Sequence, residues 1–342
     1  MRTLFHPGTD AHDPRFFLMR GRVVANEERA ERAGHLIGGL TRLGLVAEEP
    51  PAAERAALEA VHSVEYLRFL ETAWQAWQAL PGVGDEVVAN VHPHRGWGSY
   101  PDSIVGRAGW HMADCAAPIG RGTWEGASHA ADCAVAAADA VLAGESLAYA
   151  LCRPPGHHAY RDMAGGHCFL NNAAIAVERL RRGHDRVAVL DIDVHHGNGT
   201  QAIFYERADV LTVSIHADPH QFYPFYCGHA GEEGDGLGRG YNVNLPLALG
   251  TGDAGWLAAL ERAMARVAAF DPSAVVLALG LDVHEDDPLR GLAVTTEGLR
   301  EAGKRIARLP TSIAITQEGG YLSPALADTL TAFLEGLLQH RK

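Results

Sequence analysis

Apolar residues along the chain fall into two repeating patterns. Short, near-continuous runs occur at Leu147–Cys152 (LAYALC), Val187–Ile192 (VAVLDI), Val210–Ile215 (VLTVSI), Ala274–Leu279 (AVVLAL) and Ser312–Thr316 (SIAIT). Runs this short and this apolar predict strands of a sheet covered on both faces. Between them, apolar residues recur at helical spacing over Ala127–Ala143, Asn171–Arg182, Asp253–Phe270, Thr295–Arg308 and Ser323–Gln339. Asn171 or Asn172, Asp253, and Ser323 with Pro324 next to it are the predicted helix starts. This alternation predicts an α/β fold, a doubly wound and mostly parallel sheet flanked by helices. The N-terminal portion reads as more helical, over Glu27–Leu43 and Ser63–Leu80. Residues Pro81–Trp110 are rich in Gly, Pro and His and read as one long loop, which in a compact domain is usually a functional or interaction element. No linker or internal repeat divides the chain, so one domain over 1–342 is expected.

Composition narrows the chemistry. The 342 residues hold 42 Asp+Glu against 29 Lys+Arg, a formal charge of −13, which argues against a broad nucleic-acid-binding face. The N-terminal segment lacks the apolar core of a secretory signal, and no run reaches the ~20 apolar residues of a membrane span. Five cysteines (Cys115, Cys133, Cys152, Cys168 and Cys227) are odd in number and lack any CxxC, so they read as reduced thiols of a cytoplasmic protein. The histidines stand out: nine of 19 lie between His157 and His229, and they include the adjacent pairs His157-His158 and His195-His196. Clustered histidines interleaved with Asp are what a metal site produces.

Ligands in open α/β sheets bind beyond the carboxyl ends of the strands. Strand Val187–Ile192 runs out through Asp191-Ile192-Asp193-Val194-His195. Residues two apart in extended chain share a face, so Asp193 and His195 can reach one point, with Asp191 one step deeper. Asp282 follows strand Ala274–Leu279. Two carboxylates and one imidazole form a three-ligand set that leaves room for water and substrate. After strand Leu147–Cys152, two prolines and Gly156 stiffen the loop that carries His157 and His158. After strand Ser312–Thr316, Gly319 and Gly320 allow Tyr321 to swing its hydroxyl over the sheet edge. A metal site, a histidine pair and a hydroxyl donor thus converge from four strand ends.

The motifs RPPGHHA, GGHCFLNNAAIA (Gly165–Ala176), LDIDVHHGNGTQ (Leu190–Gln201), LGLD (Leu279–Asp282) and EGGY (Glu318–Tyr321) resemble those of the zinc-dependent deacetylases of the arginase–deacetylase superfamily. The HHGNG form is most similar to the acetylpolyamine amidohydrolases and class II histone-deacetylase-like amidohydrolases. The resemblance covers nearly the whole chain and implies a single histone deacetylase-like catalytic domain. It implies one Zn²⁺ held by Asp193, His195 and Asp282, with Tyr321 donating to the developing oxyanion. Asp191 matches the partner of His157, and Asn198 the partner of His158. A carboxylate favours imidazolium more than an amide does, so His158 is expected as base and then acid, and His157 as a cationic helper. The reaction implied is hydrolysis of an N-acetyl or short N-acyl amine, such as an acetylpolyamine or acetyllysine. Gly166, His167 and Tyr223 match the channel wall, with His167 where the family carries Phe or Tyr, while Phe169 reads as core. A structural K⁺ or Na⁺ near Asp191, Asp193, His195 and Ser214 is also implied, as is a homodimer built through the 81–110 loop.

Two departures matter. Positions that carry acids at the channel rim of acetylpolyamine-selective members hold Phe17, Val105 and Ala116, with Asp114 two residues from the last. The arginase branch needs a further carboxylate at position 197, which is Gly here, and another where His284 stands. His284 is therefore expected at the rim or behind the site. The competing readings are a dinuclear ureohydrolase-like enzyme and an inactive protein that binds acyl amines.

Overall fold

Alternate residues of each central strand enter opposite layers, which is why their sequences are apolar without a gap. The computed structural model describes residues 1–341. Ten strands are present among them: β1 (Arg2–Leu4), β2 (Phe16–Met19), β3 (Arg22–Ala25), β4 (Ala47–Glu48), β5 (Leu147–Ala150), β6 (Val187–Asp191), β7 (Val210–Ala217), β8 (Asn242–Leu247), β9 (Ala274–Leu279) and β10 (Ser312–Gln317). Eight of them form one sheet in the order β4-β1-β5-β10-β9-β6-β7-β8. Every pairing in it is parallel. The helices are α1 (Glu31–Arg42), α2 (Arg55–Glu59), α3 (Val64–Gln78), α4 (Ile104–His111), α5 (Thr123–Leu142), α6 (Asn172–Leu180), α7 (Asn198–Phe204), α8 (Asp253–Phe270), α9 (Thr296–Ile306) and α10 (Leu326–His340).

Strand β9 shows the layering. Ala274, Val276 and Ala278 pack with α3, α5 and α6, while Val275, Leu277 and Leu279 pack with α1, α8, α9 and α10. The two faces thus form separate cores of a single domain. Helix α5 presents buried Ala130, Ala134, Ala137 and Ala138 to the sheet, small side chains that let the layers approach closely.

The predicted strands are present, with ends shifted by one or two residues. The run predicted over Leu147–Cys152 stops at Ala150, and the one over Val210–Ile215 continues to Ala217. The helix read from Glu27 begins at Glu31, because Glu28 is buried in ion pairs with Arg32 and Arg153 and its backbone NH donates to Asn26 Oδ1. Asn171 is the α6 cap, accepting from the Ala174 NH. Asp253 is not a cap: it accepts from both the NH and the hydroxyl of Thr295 and ties the starts of α8 and α9 together. The span 81–110 is not one loop, since α4 begins within it at Ile104.

Two of the buried histidines set a pH dependence of stability. His62 Nε2 accepts from the Asn171 NH, and His216 lies between Ser214 Oγ and the Gly228 carbonyl. Burial holds each at about 4, against about 6.5 in the unfolded chain. The unfolded state therefore takes up protons that the folded state excludes. Stability from these groups is complete above pH 6.5 and falls as pH drops toward 4, by about 2 kcal/mol for each between pH 7 and pH 5. Urea unfolding at the two pH values is expected to show this loss, and His62→Gln to reduce it; an unchanged pH dependence in that variant would refute its share.

Candidate active site

Four strands that are neighbours in the sheet, β5, β10, β9 and β6, deliver the site from their carboxyl ends. Beyond β6 the chain is not extended as expected but bends at Asp193, Val194 and His195, where the Asp191 and Asp193 side chains accept from the NH two residues on. Ile192 and Val194 still enter the core, and Asp193 and His195 come together with Asp282. Asp193 Oδ1 accepts from the His195 NH at 2.9 Å, and Oδ2 accepts from the Gly319 NH at 2.7 Å. Asp282 Oδ1 accepts from the Val194 NH at 3.0 Å. One ligand atom from each of Asp193, His195 and Asp282 lies within 4.8 Å of the others, and all three residues are buried. A Cβ at Gly319 would lie 2.0 Å from Asp282 Oδ2, so only glycine lets the β10 backbone close over the triad.

The charges in this cluster are unbalanced. Burial and the facing Asp193 carboxylate push Asp282 up to about 6. Burial alone would lower His195, but the two carboxylates raise it to about 9. Asp282 Oδ2 is buried 3.2 Å from His195 Nδ1 without a well-aligned hydrogen bond.

The histidine pair is fixed from behind. Glu318 Oε2 accepts from the NH groups of Gly156 and His157 at 2.6 and 3.0 Å, binding the β5 loop to the end of β10. His157 Nδ1 donates to Asp191 Oδ2 at 2.9 Å, whereas His158 Nδ1 donates to Asn198 Oδ1 at 2.6 Å. The rings lie 4.0 Å apart yet their proton affinities diverge. Burial opposes a charge on His157, but Asp191 and Asp193 raise it to about 10. Burial, followed by the charges on His157 and His195, holds His158 well below the ordinary imidazole value. One ring is an imidazolium and the other a free base, the arrangement that separates acid and base roles.

Tyr321 is buried beside them. Its backbone NH donates to Asp287 Oδ2, and the Arg32 guanidinium sits 4.8 Å above its ring. Arg32 also donates to the carbonyls of Gly320 and Glu318 and is neutralised by Glu28, which also pairs with Arg153. The EGGY turn is thus clamped by residues from the N-terminal segment.

The expected wall residues surround this group. Gly166 has φ +51°, and a Cβ there would meet His158 Cδ2 at 2.4 Å. His167 takes the left-handed conformation (φ 67°) that non-glycine residues rarely adopt, and stands edge-on to Phe17 at 5.1 Å and to Tyr321 at 5.9 Å. Burial holds it neutral, at about 3, and its Nδ1 has no partner. Tyr223 packs edge-on against His158 at 4.9 Å and donates to Asp114 Oδ2 at 2.5 Å.

Residues 26–337 match the histone deacetylase domain family. The chain belongs to this family. It is 46% identical over 340 residues to the acetylpolyamine amidohydrolase of Burkholderia pseudomallei (strain 1710b), covering 98% of each chain. It is 37% identical over 341 residues to the acetylpolyamine amidohydrolase of Mycoplana ramosa, covering 98% of this chain and 99% of that one. A crystal structure of acetylpolyamine aminohydrolase from Burkholderia pseudomallei matches with a TM-score of 0.98 at 45% identity and covers both chains fully.

Within this histone deacetylase domain, several residues of the site escape sequence reasoning. Asp114 ties Gly166 to Tyr223, accepting from the Gly166 NH and from the Tyr223 hydroxyl, and is not a free acid. Phe222 stacks on His195 at 5.0 Å. Arg32 and Asp287 are far from any strand end that the pattern marks. Glu318 stood inside a quoted motif without a role, and its position before two glycines was the available signal. His284 turns elsewhere: its Nδ1 accepts from the Asp286 NH and its Nε2 pairs with Thr296 Oγ1. His196 also points away, toward Gln201 and Cys227.

Proposed function

We propose that this chain hydrolyses the amide of N-acetylated or short N-acylated amines, releasing the carboxylate and the free amine. The observation that carries this reading is a buried Asp–His–Asp triad together with two buried histidines, one paired with the Asp191 carboxylate and the other with the Asn198 amide, and a buried tyrosine. The relatives' names, acetylpolyamine amidohydrolase, place the substrate among acylated amines.

The family implies a divalent metal, and the residues suit one. Two buried carboxylates that repel each other and converge on one imidazole nitrogen, His195 Nδ1, at 3.1 and 3.2 Å are the donor set of an open Zn²⁺ site. One ion would be held by Asp193, His195 and Asp282; the oxygen-rich set also suits Fe²⁺ or Co²⁺. A bound ion supplies Lewis acidity toward the amide carbonyl and lowers the pKa of water. The Tyr321 hydroxyl donates a hydrogen bond to the carbonyl oxygen as that atom gains charge. His158 takes a proton from the attacking water and returns one to the leaving nitrogen, while Asp191 keeps His157 charged beside it. Gly166 keeps the wall next to His158 open, and His167 and Tyr223 border the acyl group's path. A K⁺ or Na⁺ would sit near Asp191, Asp193, His195 and Ser214, of which Asp191 and Ser214 line a small cavity.

The test is a side-by-side rate comparison of metal-loaded protein on acetylputrescine, acetylspermidine, an acetyllysine peptide and a trifluoroacetyllysine reporter. Turnover of at least one is expected and excludes a pure binding protein; failure on all four overturns the reading. A dinuclear site is disfavoured by Gly197, where a Cβ would lie 2.3 Å from Asp191 Oδ2 and a carboxylate side chain has no room. No helix among the described residues is long and apolar enough to cross a membrane. Five unpaired cysteines support action in the reducing cytoplasm. Assembly as a homodimer through the 81–110 segment, where Trp97 is 84% exposed, completes the proposal and is read by light scattering.

A further inference from the structure

An amide side chain offers an acceptor at one end and a donor at the other, and a neutral imidazole does the same. At the His158–Asn198 contact these must be matched. Asn198 Oδ1 faces His158 Nδ1 at 2.6 Å, so the imidazole proton sits on Nδ1 and Nε2 keeps its lone pair. Turned over, the amide would present Nδ2 instead. The proton would then move to Nε2, and the ring would lose its only free basic nitrogen. A carboxylate at 198 would offer oxygen in either orientation, but the asparagine in this chain needs something to hold it.

Two tyrosines lie at the other end of that amide. Asn198 Nδ2 donates to Tyr160 Oη at 2.7 Å and lies 3.4 Å from Tyr226 Oη. The two phenol oxygens are 2.8 Å apart. A lone phenol is ambiguous, because its hydroxyl can donate as well as accept. The second phenol gives that hydroxyl another acceptor: when Tyr160 donates its single proton to Tyr226, its lone pairs are left toward Asn198, and Tyr226, 60% exposed, can donate its own proton to solvent.

We infer that Tyr160 and Tyr226 are positioning residues that lock the Asn198 amide with Oδ1 toward His158, and so keep the proton on His158 Nδ1. The inference rests on the proposed role of His158 as base. Neither tyrosine touches the triad. They act through Asn198.

The test uses metal-loaded protein and the variants Tyr160→Phe and Tyr226→Phe, each made also with Asn198→Asp. Tyr160→Phe is expected to lower kcat about tenfold with KM within about twofold, and Tyr226→Phe to lower it about threefold. Neither loss is expected with Asp at 198, where orientation no longer matters. Unchanged kcat in Tyr160→Phe, or the same loss in the Asn198→Asp background, overturns the inference; the second outcome would mark a merely structural role. A readout independent of turnover is the long-range ¹⁵N–¹H spectrum of histidine-labelled protein, with His158 identified by its loss in His158→Gln. The wild type is expected to show His158 protonated on Nδ1, and Tyr160→Phe a mixture of both forms. A wild-type proton on Nε2 overturns the inference even in an active enzyme. A proton on Nδ1 in a protein that hydrolyses no acyl amine upholds the latch and removes the functional reading instead.

Discussion

Asp282→Ala is expected to lose bound metal and turnover together, with kcat/KM falling about a thousandfold or more. Several kcal/mol of charge stabilisation leave with the ion, and each 1.36 kcal/mol is a factor of ten in rate. The response to chelator allows this loss to be separated from misfolding. Asp282 faces Asp193 in a buried site, and their repulsion helps to raise its pKa to about 6. Deleting one carboxylate relieves that repulsion but also removes the acceptor of the Val194 NH and a partner of His195, so the variant's change on chelation, and not its melting temperature alone, is the readout. Wild type should lose thermal stability on chelation, by linkage to the bound ion, while the variant should be indifferent to chelator. Metal content per chain and melting with and without chelator are the measurements. A variant that keeps one ion per chain and turns over normally would refute the ligand assignment.

Tyr321→Phe is the complementary case, expected to keep the metal and lose about 10²–10³ in kcat. The removed group is a single buried hydroxyl whose pKa burial raises well above the usual phenol value, so it acts as a neutral donor. Its ring position depends on contacts that phenylalanine preserves, namely the Arg32 guanidinium above it and the backbone NH donated to Asp287. KM should therefore change little and melting temperature hardly at all. Wild-type rates in this variant on an unactivated acetamide would sink the oxyanion role.

How much of this was legible depended on whether the information was local. The runs VAVLDI and AVVLAL announced buried parallel strands because both of their faces are covered, and alternation past β6 predicted Asp193 and His195 together, although the chain there bends. Strand β8 (NVNLPL) went unseen because its Asn residues and Pro246 break the apolar pattern; as an edge strand it tolerates proline. The β2–β3 hairpin turns on Arg20-Gly21, both at positive φ, without the Asn-Gly signature of such turns. Arg32 lies in no motif that the sequence marks. Only the fold shows it reaching the carbonyls of Glu318 and Gly320 across 286 and 288 residues of sequence. Likewise Asp114 resembled a misplaced rim acid until Tyr223 and Gly166 were seen bound to it.

Strand β10 is the last of the sheet in sequence, yet it lies between β5 and β9. As the chain leaves the ribosome, β5 and β9 are made long before the strand that joins them. Until residue 317 has emerged, each lacks the neighbour that satisfies one of its edges, and the nascent chain exposes apolar strands that can pair with other molecules. The strand that closes this gap also carries Glu318 and Tyr321 into place. The final closure of the sheet and the arrival of Glu318, Gly319 and Tyr321 at the proposed active site are therefore one event.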